Sequence, residues 1–115
     1  MSLRTAVVGV GYLGKYHAEK YAHLDNSRLV AVVDADAKIA AEVAARHDTQ
    51  ALSDYRGLLG QVDAVSIVVP TSLHYAVARD FLTHGAHVLL EKPITEKIEQ
   101  ADELIELARK NRRIL

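Results

Sequence analysis

The sequence predicts a doubly wound α/β fold, with short apolar strands alternating with helices around a mostly parallel sheet. Three observations carry the prediction. First, the apolar run Ala6-Val7-Val8 turns through Gly9-x-Gly11-x-x-Gly14 into a helical pattern, and a second run, Leu29 to Val33, ends on Asp34, 20 residues past the last glycine. Second, Val62 to Val69 is a nearly continuous apolar, β-branched run, the pattern of a strand buried on both faces of a parallel sheet. Third, the segments between such runs repeat apolar residues at spacings of three and four.

Taken in order, the first helix is read over Tyr12 to Leu24, with Leu13, His17, Ala18, Tyr21 and Leu24 on one face and Asp25-Asn26-Ser27 as the following turn. The second begins near Asp36 and presents Ile39, Ala40, Val43 and Ala44, a narrow stripe suited to close packing on a sheet. Thr49 to Leu52 is a short third strand at the sheet edge, and Ser53 caps a brief helix from Asp54 to Leu59. Pro70-Thr71-Ser72 ends the fourth strand, and Leu73 to His84 forms a helix with Leu73, Val77, Phe81 and Leu82 facing in and Gly85 at its stop. The fifth strand is His87 to Glu91, broken by Lys92-Pro93. Thr95 then caps a last helix to about Asn111, with Ile98, Ala101, Ile105 and Ala108 inward and Glu99, Glu103 and Glu106 outward. Right-handed crossovers make 3-2-1-4-5 the expected strand order. Arg113-Ile114-Leu115 begins what reads as a sixth strand, cut short, so residues 1–115 are expected to be the N-terminal domain of a longer protein.

The opening unit has the layout of a dinucleotide-binding (Rossmann) strand-helix-strand. Gly9 turns the chain off the strand, Gly11 lets backbone approach a pyrophosphate, and Gly14 lets the helix lie close to the sheet. The phosphates are expected on free amides at the helix N-terminus, where the dipole favours negative charge. Asp34 is placed to accept hydrogen bonds from a ribose diol. Helix N-capping is its other reading, and Asp36 competes for that duty. A carboxylate at position 34 repels a 2'-phosphate, and neither Ala35 nor Asp36 supplies the arginine common in NADP sites, so NAD is favoured over NADP.

Composition excludes several classes. With net charge −1 there is no signature of nucleic-acid or membrane-surface binding, and Arg109-Lys110-Asn111-Arg112-Arg113 reads as the positive last turn of a helix. The absence of cysteine removes disulfides, thiolate catalysis and cysteine-bound zinc. The opening apolar run is too short and too broken by glycine for a signal peptide, no segment is long enough to cross a bilayer, and a cytoplasmic protein is the expectation.

In the expected strand order, winding reverses between strands one and four, so a ligand should lie at their C-terminal ends. The candidate loops there are Gly9-Val10-Gly11-Tyr12-Leu13-Gly14, Asp34 to Asp36, Val69 to His74 and Glu91 to Pro93. Thr71 and Ser72 can cap helix amides or touch a ribose. For His74, a ligand contact and a partly exposed structural role both stand. Lys92, immediately off a buried strand and held by Pro93, can orient a substrate hydroxyl and move its proton during hydride transfer. A snorkelling surface lysine is the alternative. His17 is read as helix packing or a bond to backbone, and His17, His23, His47, His84 and His87 form no metal-ligand spacing. Two other functions share these features: a non-catalytic NAD(H)-sensing module, against which Glu91-Lys92-Pro93 speaks, and an S-adenosylmethionine site, against which Gly14 speaks.

The combination of Gly9-Val-Gly11-Tyr-Leu-Gly14-Lys-Tyr-His17, Asp34, Pro70-Thr71-Ser72-Leu73-His74 and Glu91-Lys92-Pro93 resembles the N-terminal half of the glucose-fructose oxidoreductase / inositol dehydrogenase (Gfo/Idh/MocA) family along the whole chain. Within that family, Tyr12-Leu13-Gly14-Lys15 ahead of the histidine is most similar to enzymes that oxidise the 3-hydroxyl of a sugar nucleotide such as UDP-N-acetylglucosamine. The resemblance implies an NAD(P)-dependent dehydrogenase acting on a sugar, cyclitol or related hydroxyl. Lys92 takes the catalytic or proton-relay role, and Glu91 and Pro93 shape the nicotinamide pocket. It further implies that a C-terminal domain, absent here, supplies the other catalytic groups, the substrate site and a homo-oligomer interface, so the isolated piece should bind cofactor without turnover.

Overall fold

The computed structural model describes residues 2–11, 13–91 and 94–115, so Tyr12, Lys92 and Pro93 lie outside the described residues. Five parallel strands form one sheet: β1 (Leu3–Val8), β2 (Ser27–Val33), β3 (Gln50–Leu52), β4 (Ala64–Ile67) and β5 (His87–Leu90). Their order, β3-β2-β1-β4-β5, is the predicted one. Parallel neighbours require crossovers: α1 (Gly14–His23) joins β1 to β2, α2 (Ala37–Arg46) β2 to β3, a segment with a 3₁₀ turn at Tyr55–Leu58 β3 to β4, and α3 (Thr71–Thr83) β4 to β5, while α4 (Ile98–Lys110) follows β5.

Strand alternation divides the core into two layers. Val7 and Val32 point with Val10 towards Ala18, Val43 and Ala44 of α1 and α2. Ala6, Val8, Ala31, Val33, Val65 and Ile67 point the other way, onto Val77, Ala78, Phe81 and Leu82 of α3 and Leu104 and Ala108 of α4. Both faces of the central strands are therefore dry, as the uninterrupted apolar runs required. Phe81 is fully buried, and its truncation to alanine would cost about 3–5 kcal/mol. The α1 side is open over β5, where Leu89 is 54% exposed opposite the buried Val88.

Several expectations are corrected. The α3 helix begins at Thr71, two residues early, with Pro70 in the N-cap position and no side-chain cap, so neither Thr71 nor Ser72 caps the amides. Its buried face is His74, Val77, Ala78, Phe81 and Leu82, and Leu73 turns outward. The α4 helix begins at Ile98, and Thr95 caps nothing: its hydroxyl donates to the Lys97 carbonyl. Two apolar stripes on α4 share Ala101 and Ala108. The sheet takes the one through Leu104 and leaves Ile98 and Ile105 exposed. After β3 the cap is Asp54 rather than Ser53, its carboxylate accepting from the Arg56 amide at 2.9 Å. Ser27 and Leu3 belong to strands, while β4 is shorter than the apolar run that announced it.

The predicted stop of α3 is present, with Gly85 at φ 86°. The basic cluster closes the far end of the α3–α4 pair: Asn111 and Arg113 donate to the Leu82 and Gly85 carbonyls, and Arg109 pairs with Glu106. Ile114 lies beside β5, its carbonyl accepting from the Val88 amide at 2.9 Å and its own amide donating to His87 Nδ1.

Candidate functional site

The turn after β1 is shaped by backbone packing. Gly9 has φ 91°, and a Cβ there would meet the Val68 carbonyl oxygen at 2.2 Å. At Gly14 an added Cβ would stand 1.6 Å from the Gly9 carbonyl oxygen. The bare Cα is what lets α1 start directly against the turn. Gly11 differs: among the described residues nothing lies within 4 Å of its missing Cβ. The predicted division of labour among the three glycines therefore has a geometric counterpart in space left empty at Gly11 and filled at the other two.

Asp34, at the end of β2, is tied to that turn. One carboxylate oxygen accepts from the Val10 amide at 3.0 Å and the other from the Asp36 amide at 2.9 Å. The competition for the helix cap resolves in favour of Asp36, which accepts from the Lys38 and Ile39 amides. Asp34 is thus released from capping and held at the mouth of the cleft.

That cleft, about 540 Å³, is lined by Val8, Gly9, Gly11, Val33, Asp34, Ala35, Ser53, Asp54, Tyr55, Arg56, Val68, Val69, Pro70, Leu73, Ala76 and Val77. It sits at the C-terminal ends of β1, β2 and β4, where winding reverses. Of the predicted site residues it gathers Gly9, Gly11, Asp34 and Pro70, with Gly14 directly behind Gly9. Thr71 and Ser72 open α3 beside it. Leu73, within the candidate loop Val69 to His74 but read as facing the core, is 50% exposed and turned into the cleft, and sequence reasoning missed the wall Ser53-Asp54-Tyr55-Arg56. The signal for that wall was available, since any loop following a parallel strand reaches the same sheet edge.

The wall has its own electrostatics. The Arg56 amide, and then its guanidinium at 3.1 Å, hold the Asp54 carboxyl below the usual carboxylate range. Burial and a hydrogen bond to Asp80 Oδ2 push the Tyr55 hydroxyl up to about 12, so it stays a neutral donor. Arg56 also lies over the Tyr55 ring, 5.4 Å from its centroid.

Leu13 and Glu91 lie on the other side of the same edge. Leu13, His17 and Glu91 line a neighbouring groove with Tyr16, Tyr21 and Leu89. His17 does not bond to backbone, as one reading held: its Nε2 lies 2.7 Å from the Glu91 carboxylate. His74 is 1% exposed rather than partly exposed, its Nε2 lying 2.9 Å from the Val69 carbonyl oxygen and its Nδ1 3.1 Å from that of Ile94. Tyr12, Lys92 and Pro93 fall outside the described residues. Among the described residues no group of three or more His, Asp or Glu side chains is placed to hold a metal, and no helix is long and apolar enough to cross a membrane.

Comparison with known proteins places this geometry. Residues 3–115 match the model of the oxidoreductase family with an NAD-binding Rossmann fold, GFO_IDH_MocA. The chain is 49% identical over 113 residues to a UDP-N-acetylglucosamine 3-dehydrogenase of Acidithiobacillus ferrooxidans, covering 98% of this chain and 36% of that protein. The solved structure of that dehydrogenase superposes with a TM-score of 0.93 over all of this chain and 38% of its own. A scyllo-inositol 2-dehydrogenase (NADP(+)) of Bacillus subtilis is 34% identical over 95% of this chain and 34% of its own length. The crystal structure of GenD2 from gentamicin A biosynthesis in complex with NAD gives a TM-score of 0.95 at 28% identity, over 99% of this chain and 33% of that one. This chain therefore spans about a third of the length of the relatives it matches, and it belongs to the Gfo/Idh/MocA oxidoreductase family as its NAD(P)-binding Rossmann domain.

Proposed function

We propose that the chain is the cofactor domain of an NAD-dependent dehydrogenase that acts on a hydroxyl of a sugar nucleotide, with the 3-hydroxyl of a UDP-N-acetylhexosamine as the leading substrate. The open space at Gly11, facing a cleft whose mouth carries the Asp34 carboxylate, is the observation that carries the cofactor part. The 49% identity to a UDP-N-acetylglucosamine 3-dehydrogenase supports the substrate part. The relatives' greater length supports reading the chain as the first domain of a two-domain enzyme.

The residues fit a dinucleotide. Amides of the Gly9 to Gly14 turn and the start of α1 would hold the pyrophosphate, Asp34 the adenosine ribose, and Pro70, Thr71, Ser72, His74 and Glu91 would border the nicotinamide end. Asp34 favours NAD over NADP through charge repulsion. Arg56, a cation in the cleft wall, is already paired with Asp54 at 3.1 Å. When bound, the nicotinamide supplies a hydride acceptor. Lys92 would accept the proton of the substrate hydroxyl as the hydride leaves its carbon, with the substrate held by the second domain.

Titrating the chain against NADH and NADPH by nicotinamide fluorescence tests the cofactor reading. NADH is expected to bind at least about tenfold more tightly, and equal affinities would overturn the assignment of Asp34. In the two-domain enzyme, Lys92→Ala is expected to keep NAD affinity and lose about 100-fold or more in kcat. Unchanged turnover would sink the proton-relay role.

A further inference from the structure

We propose that Asp54 helps to select the cofactor: by holding the Arg56 guanidinium, it withholds from a 2'-phosphate a cation of the cleft wall that would otherwise receive one. The inference rests on the reading of the cleft as a dinucleotide site with the adenosine ribose at Asp34, and it gives the wall a part in that site. The wall stands beside Asp34 because β3 pairs with β2. Val33 is in register with Leu52, and the Asp34 amide donates to the Leu52 carbonyl at 3.1 Å. The chain therefore leaves β3 into Ser53 and Asp54 next to the carboxylate that ends β2, and Asp34, Asp54 and Arg56 line one cleft.

Arg56 is held by contacts of different kinds. Its guanidinium donates to Asp54 Oδ2 at 3.1 Å, its amide donates to Asp54 Oδ1 at 2.9 Å, and the guanidinium carbon lies 5.4 Å from the centroid of the Tyr55 ring. That ring is itself fixed, its hydroxyl donating to Asp80 of α3 at 2.5 Å and its centroid 5.5 Å from that of Phe81. The Arg56 amide and then its guanidinium keep the Asp54 carboxyl below the usual carboxylate range, so the pair is ionised at neutral pH. Yet the Arg56 side chain is 69% exposed, and an ion pair so open to water is weak. A phosphate offers a guanidinium more charge and a bidentate partner, which makes the competition between the two anions close. Two acids thus oppose a 2'-phosphate by different means. Asp34 repels it where the ribose lies, and Asp54 occupies the cation that would draw it in.

The test uses the two-domain enzyme, titrated with NADPH and NADH by nicotinamide fluorescence. Asp54→Asn keeps an acceptor for the Arg56 amide, since asparagine caps as well as aspartate, and removes only the charge. The ratio of NADPH to NADH affinity is expected to rise by about five- to tenfold. Loss of a negative charge would by itself favour a 2'-phosphate, so the deciding variant joins Asp54→Asn to Arg56→Gln. There the ratio is expected to return to within about twofold of the parent's. Arg56→Gln in the parent is expected to move the ratio by less than about threefold, because the guanidinium is already taken. A ratio unmoved by Asp54→Asn, a gain that survives in the double variant, or an effect of Arg56→Gln as large in the parent as beside Asp54→Asn would each overturn the proposal. An enzyme that prefers NADH but ignores Asp54→Asn sinks this inference alone, whereas equal affinities before any substitution sink the assignment of Asp34 beneath it.

Discussion

Around the glycine turn the structure is held by main-chain atoms, whereas around Glu91, on the same sheet edge, it is held by side chains from distant elements. In the first region a carbonyl of Gly9 fills the space beside Gly14, and an amide of the turn binds Asp34. In the second, His17 reaches Glu91 and His74 reaches Ile94. Backbone packed against backbone leaves no rotamer to adjust, so Gly9 and Gly14 tolerate no added atom. Side-chain anchors can be replaced by others of similar reach, and their loss is graded. Under the proposed function the contrast would suit the tasks: a pyrophosphate is the same in every dinucleotide, while the groups around a reacting carbon must vary with the substrate.

The largest effect that would break this contrast is at Gly14. With its Cβ 1.6 Å from a carbonyl oxygen, Gly14→Ala must move α1 or the turn, and we expect a loss of more than about 4 kcal/mol, seen as a Tm at least about 15 °C lower by circular dichroism. Gly11→Val, with open space at its Cβ, is expected to leave Tm within about 3 °C while abolishing NADH binding. A Gly14→Ala variant as stable as the parent would show that the turn is not held by its backbone.

Next in size is His74→Ala. Removing a buried ring that faces two carbonyls leaves a cavity and an unmet acceptor, for an expected loss of about 2–3 kcal/mol and a Tm lower by about 10 °C or more. His74→Gln should recover part of it, since an amide can still donate. Equal losses for the two variants would mean that volume, not hydrogen bonding, holds this side together.

The smallest expected effect lies outside both regions, at the seam of the cleft wall with α3, where Tyr55 donates to Asp80 at 2.5 Å. Its folded pKa is raised, chiefly by burial, from 10.0 to about 12. The folded state therefore keeps a proton that the unfolded state releases, and this contribution is complete below pH 10 and lost as the pH rises towards 12. Denaturant midpoints of the parent should fall through that window relative to those of Tyr55→Phe. Parallel curves would show that the seam does not couple to the hydroxyl.

Much of the cleft was legible before any coordinates. Gly9, Gly14 and Asp34 are recognisable because backbone geometry admits few residue types there and the strand-helix-strand unit sets their spacing. The strand order follows from alternation and crossover handedness for the same reason. Asp36 as the cap of α2 was a named alternative, decided only when both carboxylates had partners. The faces of α3 and α4 were less legible. Leu73 and Ile105 are as apolar as their buried neighbours, and periodicity defines a stripe without saying which of two overlapping stripes meets the sheet.

What the sequence alone determined is the local chemistry of the chain: which residues can turn sharply, which runs must be strands, and which acid follows the second strand. Each of those is a property of a residue and its near neighbours. Only the tertiary structure decided that His17 meets Glu91, that His74 is sealed between two loops, and that Ser53 to Arg56 completes the cleft wall. Those pairings join residues far apart in the chain, and a side chain's partner is set by how the helices seat on the sheet.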